Sequence, residues 1–254
     1  MRCLAILGIT LATAIAAMPQ VNPIPIRFED VAVIFERWDK NGILETHGTG
    51  FFYGDSATGV TFIVTNRHLL LGKDSLHVRF SDRDGIARKY TLDLVDNSGK
   101  PYWRAHPDTS IDVALFPVPM DFKVKMIDSQ RLKPTAEITL GDIVYFIGFP
   151  LTEATTDYRV YPLLRHGVVS YIVKEGFMFG NPPRLCQKGS IFIDATSLGG
   201  NSGGPVISIP RAGSKRASLI GVIAGHVSVG ENGENADLGI VVPAECIPEV
   251  IRQY

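Results

Sequence analysis

From Phe28 onward, short runs of β-branched and aromatic residues are cut at regular intervals by Gly, Pro, Asn and Asp. Short apolar runs bounded by such breakers read as strands, because β-branched and aromatic side chains suit a pleated surface and the breakers suit turns. The pattern predicts strands at Val31–Phe35, Phe62–Thr65, Leu76–Phe80, Tyr90–Val95 and Asp112–Val118 in the first half. In the second half it predicts Ile143–Phe149, Gly167–Val173, Ile191–Ala195, Val206–Ile209, Leu219–Val227 and Leu238–Val242. Lys40-Asn41-Gly42, Asp84-Gly85, Asn97-Ser98-Gly99 and Glu231-Asn232-Gly233 supply turn chemistry between them. Helical spacing is confined to Pro243–Tyr254, where Cys246, Ile247, Val250 and Ile251 fall on one side. The expected fold is all-β, an antiparallel sandwich or barrel with a short C-terminal helix. The polar connection Asp128–Glu137 divides it into an N-terminal unit over 28–128 and a C-terminal unit over 129–254, with no detectable sequence repeat between them.

The N-terminus has a different pattern. Met1 and Arg2 bring positive charge, Cys3–Met18 is apolar or small, and no acidic residue precedes Glu29. This reads as a signal peptide over 1–17, with Ala14 and Ala16 as the small-x-small pattern and a breaker-rich linker over 18–27. The apolar run falls short of the roughly 20 residues that span a bilayer. A secreted or periplasmic location follows, with no stable membrane association after cleavage; anchoring by an uncleaved N-terminal segment is the alternative.

Composition narrows the partners. A chain of 254 residues that is 45% hydrophobic can bury a sizeable core. Its net charge of -1 offers no bulk electrostatic attraction to nucleic acid. The short basic stretch Arg211–Arg216 lies between apolar runs and reads as a solvated turn. Loss of the leader removes Cys3, leaving Cys186 and Cys246 either bridged or free and buried. No Cys/His spacing suggests a metal site, and nothing points to a cofactor.

The chemistry concentrates in three segments. In Gly199-Gly200-Asn201-Ser202-Gly203-Gly204-Pro205, glycines on both sides of a serine permit a tight bend that brings backbone N–H groups near one hydroxyl. Acyl transfer needs that arrangement: an activated nucleophile, and donors aimed at the oxyanion, here the N–H groups of Gly200 and Ser202. The apolar strand Thr61–Thr65 leads through Asn66-Arg67 to His68, an imidazole able to take the serine proton near neutral pH. Asp112 heads the apolar run Val113-Ala114-Leu115, where a carboxylate needs a partner; it would hold the Nδ1 proton of His68. Asp108, in the turn Pro107-Asp108-Thr109-Ser110, is the rival acid and looks solvated.

These segments, in the order His, Asp, Ser, resemble the chymotrypsin-like serine protease superfamily, with the closest likeness to bacterial HtrA-type and glutamyl-endopeptidase-type members. The likeness runs from about Thr46 to Val250 and includes Gly148-Phe149-Pro150, Gly167-Val168-Val169-Ser170 and Ile220-Gly221-Val222. It implies two six-stranded antiparallel β-barrels with the site between them, and a serine endopeptidase that acts on polypeptides through Ser202, His68 and Asp112. It further implies that Thr196, Ser197 and Leu198 line one wall of the primary specificity pocket, with Ile223, Ala224, Gly225 and His226 opposite. With no acidic residue at the pocket base, a buried Lys or Arg of the substrate would lack a partner. A neutral, small or aliphatic residue is the expected preference, a weakly acidic one second.

The departures from the family pattern carry expectations of their own. Asn201 stands where zymogen-type relatives carry an aspartate that captures a new N-terminus, so activity without such processing is expected. Too few residues follow the last strand for a PDZ domain, and a monomer is expected. The Gly- and Pro-rich segment Lys174–Lys188 reads as a long loop able to cover the site. The competing function is a catalytically silent or gated binding module on the same fold. The serine sits before a strand instead of a helix, which disfavours an α/β-hydrolase.

Overall fold

The computed structural model describes residues 30–38, 41, 44–118, 122–150, 160–179, 184–209, 217–229 and 232–254. The leader, the linker and the Arg211–Arg216 turn lie outside the described residues.

The N-terminal half contains β1 (Ala32–Trp38), β2 (Leu44–Gly54), β3 (Thr61–Thr65), the helical turn α1 (Arg67–Leu70), β4 (Ser75–Ser81), β5 (Ala87–Asp93), β6 (Arg104–Ala105), β7 (Ala114–Pro117) and β8 (Ile127–Asp128). They form one eight-stranded sheet in the order β5-β4-β1-β2-β3-β7-β6, with β8 paired in parallel to β2 through Tyr53 and Gly54. The C-terminal half contains β9 (Ile143–Gly148), β10 (Leu163–Ile172), β11 (Phe177–Phe179), β12 (Arg184–Cys186), β13 (Ile191–Asp194), β14 (Pro205–Ser208), β15 (Ser218–Val229), β16 (Glu234–Pro243) and the helix α2 (Cys246–Ile251). Six of these strands close a barrel in the order β10-β13-β16-β15-β14-β9, and β11 and β12 form a separate hairpin.

Of the expected pair of six-stranded barrels, strand pairing among the described residues closes the one in the second half and leaves the sheet of the first half open. In the first half the path of paired strands ends at β5 and β6, and β6 is two residues long, too short to build a closing ladder. Side chains and single contacts fill that seam instead. Leu92 of β5 and the following Leu94 belong to a buried cluster against which Trp103 and, in β6, Ala105 pack, partly buried, and the Tyr102 N–H donates to the Leu94 carbonyl at 2.9 Å. The segment Lys174–Lys188, expected as a loop, contains the β11–β12 hairpin, whose Cys186 packs with Val173, Phe192 and Val227.

The strand β2 escapes the sequence pattern because Gly48, Gly50 and Gly54 interrupt its apolar run, yet it is central, and from Gly48 to Tyr53 it is buried on both sides. In an extended strand successive side chains face opposite sides. Phe52 accordingly joins Val33, Phe35 and Ile63 in the core of the first half. Phe51 and Tyr53 join Ala32, Ile34, Phe62 and Val64 in a second cluster that also holds Ile147, Phe149, Ile207 and Val222 from the C-terminal barrel. The two halves thus share an apolar seam, and one face of β1, β2 and β3 is committed to it.

The C-terminal helix forms where the periodicity places it, and Cys246, Ile247, Val250 and Ile251 are its buried residues. It is shorter than the expected span, because β16 runs on to Pro243. The helix crosses back to the first half: the Tyr254 hydroxyl donates to the Leu115 carbonyl at 2.7 Å, and Gln253 Nε2 donates to the Ala105 carbonyl at 3.1 Å. His106 Nε2 pairs with Glu249 at 2.8 Å, and the Asp108 N–H donates to His106 Nδ1 at 3.1 Å. Cys186 and Cys246 are free and buried, so the second of the two expected states is the one formed. Burial, with Glu249 and Glu245 nearby, pushes the Cys246 thiol up to about 12.

Ile247 is fully buried in the seam. Ile247→Ala should lower stability by about 2–5 kcal/mol through lost transfer energy and the cavity left behind. The check is the midpoint of urea unfolding, which should fall with the slope unchanged.

Candidate active site

The strand β3 delivers the imidazole. Its ladder ends at Thr65, Asn66 is buried in extended conformation, and His68 lies in the single helical turn α1, held down by buried Leu69 and Leu70. The sequence pattern placed His68 at the strand terminus; the two leucines turn the chain inward and create the extra helical turn. Asn66 Nδ2 donates to the Asp112 carbonyl at 2.6 Å, which ties the acid's backbone to the end of β3. The Asp112 carboxylate then meets His68 twice, accepting its backbone N–H at 3.0 Å and lying 2.5 Å from its Nδ1. An ionised carboxylate only accepts, so Nδ1 carries the proton and Nε2 of the neutral ring remains an acceptor. The His68 side chain is 47% exposed, which leaves Nε2 reachable from outside.

Asp108 is spent elsewhere. It accepts the Ser110 N–H at 3.0 Å and the Ser110 hydroxyl at 2.5 Å, and these bonds hold its carboxyl below the usual carboxylate range. Of the two acids, only Asp112 meets the imidazole.

The serine turn can be read from its backbone hydrogen bonds. Gly200 and Gly203 adopt φ of +89° and +88°, a region closed to most side chains. The Asn201 N–H donates to Leu198 at 3.1 Å, the Gly204 N–H to Asn201 at 3.0 Å and the Gly203 N–H to Ile223 at 2.7 Å. The Ser202 carbonyl accepts the Thr49 N–H at 2.8 Å, and the Gly200 carbonyl accepts the Thr49 hydroxyl at 2.6 Å. Among the described residues the N–H groups of Gly200 and Ser202 have no acceptor. The Ser202 side chain makes no hydrogen bond there either, to His68 or to any other group. The turn is nonetheless docked close to the end of β3, because Thr65 Oγ1 donates to the carbonyl of Thr49 at 2.7 Å. Ser202 thus stands two hydrogen bonds, by way of Thr49, from Thr65, three residues before His68.

The expected pocket residues surround this turn unequally. Ser197 is fully buried and its carbonyl accepts Asn235 Nδ2 at 2.7 Å, while Thr196 is partly and Leu198 well exposed. The Ile223 side chain packs inside the barrel, so it meets the turn through its backbone. Ala224, Gly225 and His226 are partly exposed beside two irregularities of the β15–β16 ladder. The pattern missed Thr49 and His47 of β2. His47 Nε2 is buried without a hydrogen-bond partner, 2.5 Å from where a Cβ on Gly200 would sit. The only cue to either was Gly48-Thr49-Gly50 ahead of Phe51-Phe52-Tyr53, which looks like a turn. Both amide atoms of Asn201 are also buried and unpaired. Among the described residues no cluster of His, Cys, Asp and Glu could hold a metal ion, and no helix is long and apolar enough to cross a membrane.

An all-β chain with a closed six-stranded barrel, a His–Asp pair on one half and a glycine-flanked serine turn on the other has the architecture of a trypsin-like peptidase. The chain belongs to that family: the trypsin-like peptidase domain matches residues 48–213. It is similar to the serine protease Do-like HtrA of Lactococcus lactis subsp. cremoris (strain MG1363), 23% identical over 212 residues. The HtrA of Lactococcus lactis subsp. lactis (strain IL1403) is also 23% identical over 212 residues. Each alignment covers 83% of this chain and 45% of the relative, so the chain spans less than half the length of either. The fold is shared with the crystal structure of the MamO protease domain from Magnetospirillum magneticum (apo form), at TM-score 0.57 and 16% identity over 87% of this chain and 95% of that one.

A Cβ on Gly203 would sit 1.8 Å from the Thr49 carbonyl oxygen, whereas one on Gly199 would meet nothing within 4 Å. Gly203→Ala should therefore destabilise by at least about 2 kcal/mol, and Gly199→Ala should stay within about 0.5 kcal/mol of the parent. Chemical denaturation of the two variants side by side is the check.

Proposed function

We propose that the chain is a serine endopeptidase that hydrolyses polypeptides through an acyl-enzyme on Ser202, and the His68–Asp112 pair is the observation that carries this reading. With Nδ1 engaged by Asp112 at 2.5 Å, His68 Nε2 takes the hydroxyl proton as Ser202 Oγ attacks the scissile carbonyl carbon. The carbonyl oxygen becomes an oxyanion that accepts the unpaired N–H groups of Gly200 and Ser202, each worth about 2.7–4 kcal/mol in such a role. Collapse breaks the C–N bond, the amine leaves with the proton returned by His68, and water repeats the sequence on the ester. Asp112 stays ionised throughout and stabilises the imidazolium. This reading assigns Thr196, Ser197, Leu198, Ile223, Ala224, Gly225 and His226 to the specificity pocket, and with no acidic residue among them a neutral, small or aliphatic side chain of the substrate is the expected occupant. The leader-like pattern over 1–17 favours action outside the cytoplasm.

The alternative, a gated or silent protease-fold binding module, is favoured by the absent hydrogen bond between Ser202 and His68. Catalytic hydrogen bonds often lengthen without substrate, which keeps endopeptidase the stronger reading.

A fluorophosphonate should add once to the protein and not to Ser202→Ala, read by intact mass. In peptide hydrolysis, Asp112→Asn should lose about 10⁴-fold in kcat, while Asp108→Asn should stay within about twofold. Absence of any adduct in folded protein, with and without peptide, would establish the binding-module reading.

A further inference from the structure

We infer that Thr49 is the positioning residue of the serine turn, acting on it from the opposite half of the molecule; the catalytic consequence rests on the endopeptidase reading. Thr49 is fully buried in β2 and each of its polar atoms is engaged. Its N–H donates to the Ser202 carbonyl at 2.8 Å, and its own carbonyl accepts Thr65 Oγ1 at 2.7 Å. Its hydroxyl accepts the Phe149 N–H at 3.0 Å and lies 2.6 Å from the Gly200 carbonyl oxygen. A hydroxyl has one hydrogen to give. The Phe149 N–H can only donate to Oγ1, so that single hydrogen goes to Gly200.

The geometry of the turn gives this bond its importance. A peptide group is planar, so holding its oxygen at one end and its N–H at the other prevents it from rotating. The Gly200–Asn201 peptide is held at its oxygen by Thr49 and at its N–H by Leu198. The Ser202–Gly203 peptide is held at its oxygen by Thr49 and at its N–H by Ile223. Between and before them lie the Asn201–Ser202 and Gly199–Gly200 peptides, which carry the two unpaired N–H groups. Thr49 therefore anchors both peptides that follow those donors, and it sets their direction without touching substrate. Gly200 has no side chain to restrict it. Removing the hydroxyl would release the Gly200 carbonyl and leave the Phe149 N–H buried without an acceptor.

The test compares the parent with Thr49→Val, which keeps the shape and loses the hydroxyl, and Thr49→Ser, which keeps the hydroxyl. Hydrogen exchange of peptides covering residues 196–206, read by mass spectrometry, reports the turn whether or not the chain cleaves anything. The inference predicts exchange at least about tenfold faster there in Thr49→Val, with parent-like exchange in β16 and recovery in Thr49→Ser. On a peptide substrate, kcat should fall at least about tenfold in Thr49→Val with KM within about threefold, and Thr49→Ser should restore it. Parent-like exchange and turnover in Thr49→Val would overturn the inference, as would equal losses in both variants. A parent that cleaves no peptide would overturn the endopeptidase reading, and the exchange comparison alone would then decide whether Thr49 holds the turn.

Discussion

The burial of β2 on both faces is the constraint on which the other features depend. Phe52 fills the core of the first half, Phe51 and Tyr53 fill the seam between the halves, and Thr49 bonds to the serine turn. Because the side-chain period of a strand is two, a slip of one residue would send Phe51 and Tyr53 into the core of the first half and Phe52 into the seam, and neither set would fit. The register between β1 and β2, Ala32 opposite Phe51 through Glu36 opposite His47, is thus specified by packing over most of its length. The seam and the Thr49 bonds hold the half that carries the His68–Asp112 pair against the half that carries the serine turn.

On that frame, the two chemical components are held with different firmness. Asp112 is fixed by its backbone to Asn66 and by its carboxylate to two positions of His68, so the imidazole has one orientation. The serine turn is held at the carbonyls of Gly200, Asn201 and Ser202 and at three of its N–H groups, while the N–H groups of Gly200 and Ser202 have no acceptor among the described residues. Unpaired buried backbone donors are rare in folded chains, so the two beside Ser202 set this turn apart from the other turns of the fold. The buried, unpaired Asn201 amide belongs to the same turn, and the unpaired His47 Nε2 lies beside its Gly200.

Much of this was legible from residues alone, for definable reasons. Strands such as Val31–Phe35 and Leu76–Phe80 announce themselves because β-branched and aromatic residues crowd between breakers, and the C-terminal helix because its four apolar residues share a face. Asp112 could be preferred over Asp108 because a carboxylate heading an apolar strand needs a partner, and the structure supplies His68. The pattern failed at β2, where glycines that admit close neighbours such as Leu69 and Phe35 hide a central strand. The strands β6 and β8 also escaped it, because they are two residues each and carry no periodicity to detect. Thr49 was invisible for a related reason: its importance lies in contacts 100 and 151 residues away in sequence.

The central claim is that Ser202, His68 and the two unpaired N–H groups converge on one reacting carbonyl. The most direct measurement is a crystal structure of the protein after reaction with a peptidyl boronic acid, which mimics the tetrahedral intermediate. The account predicts boron bonded to Ser202 Oγ, one boronate oxygen about 2.7–3.1 Å from the backbone nitrogens of both Gly200 and Ser202, and another within hydrogen-bonding reach of His68 Nε2. A boronate bound away from Ser202, or one bonded to it with the Gly200 N–H turned aside, would contradict it.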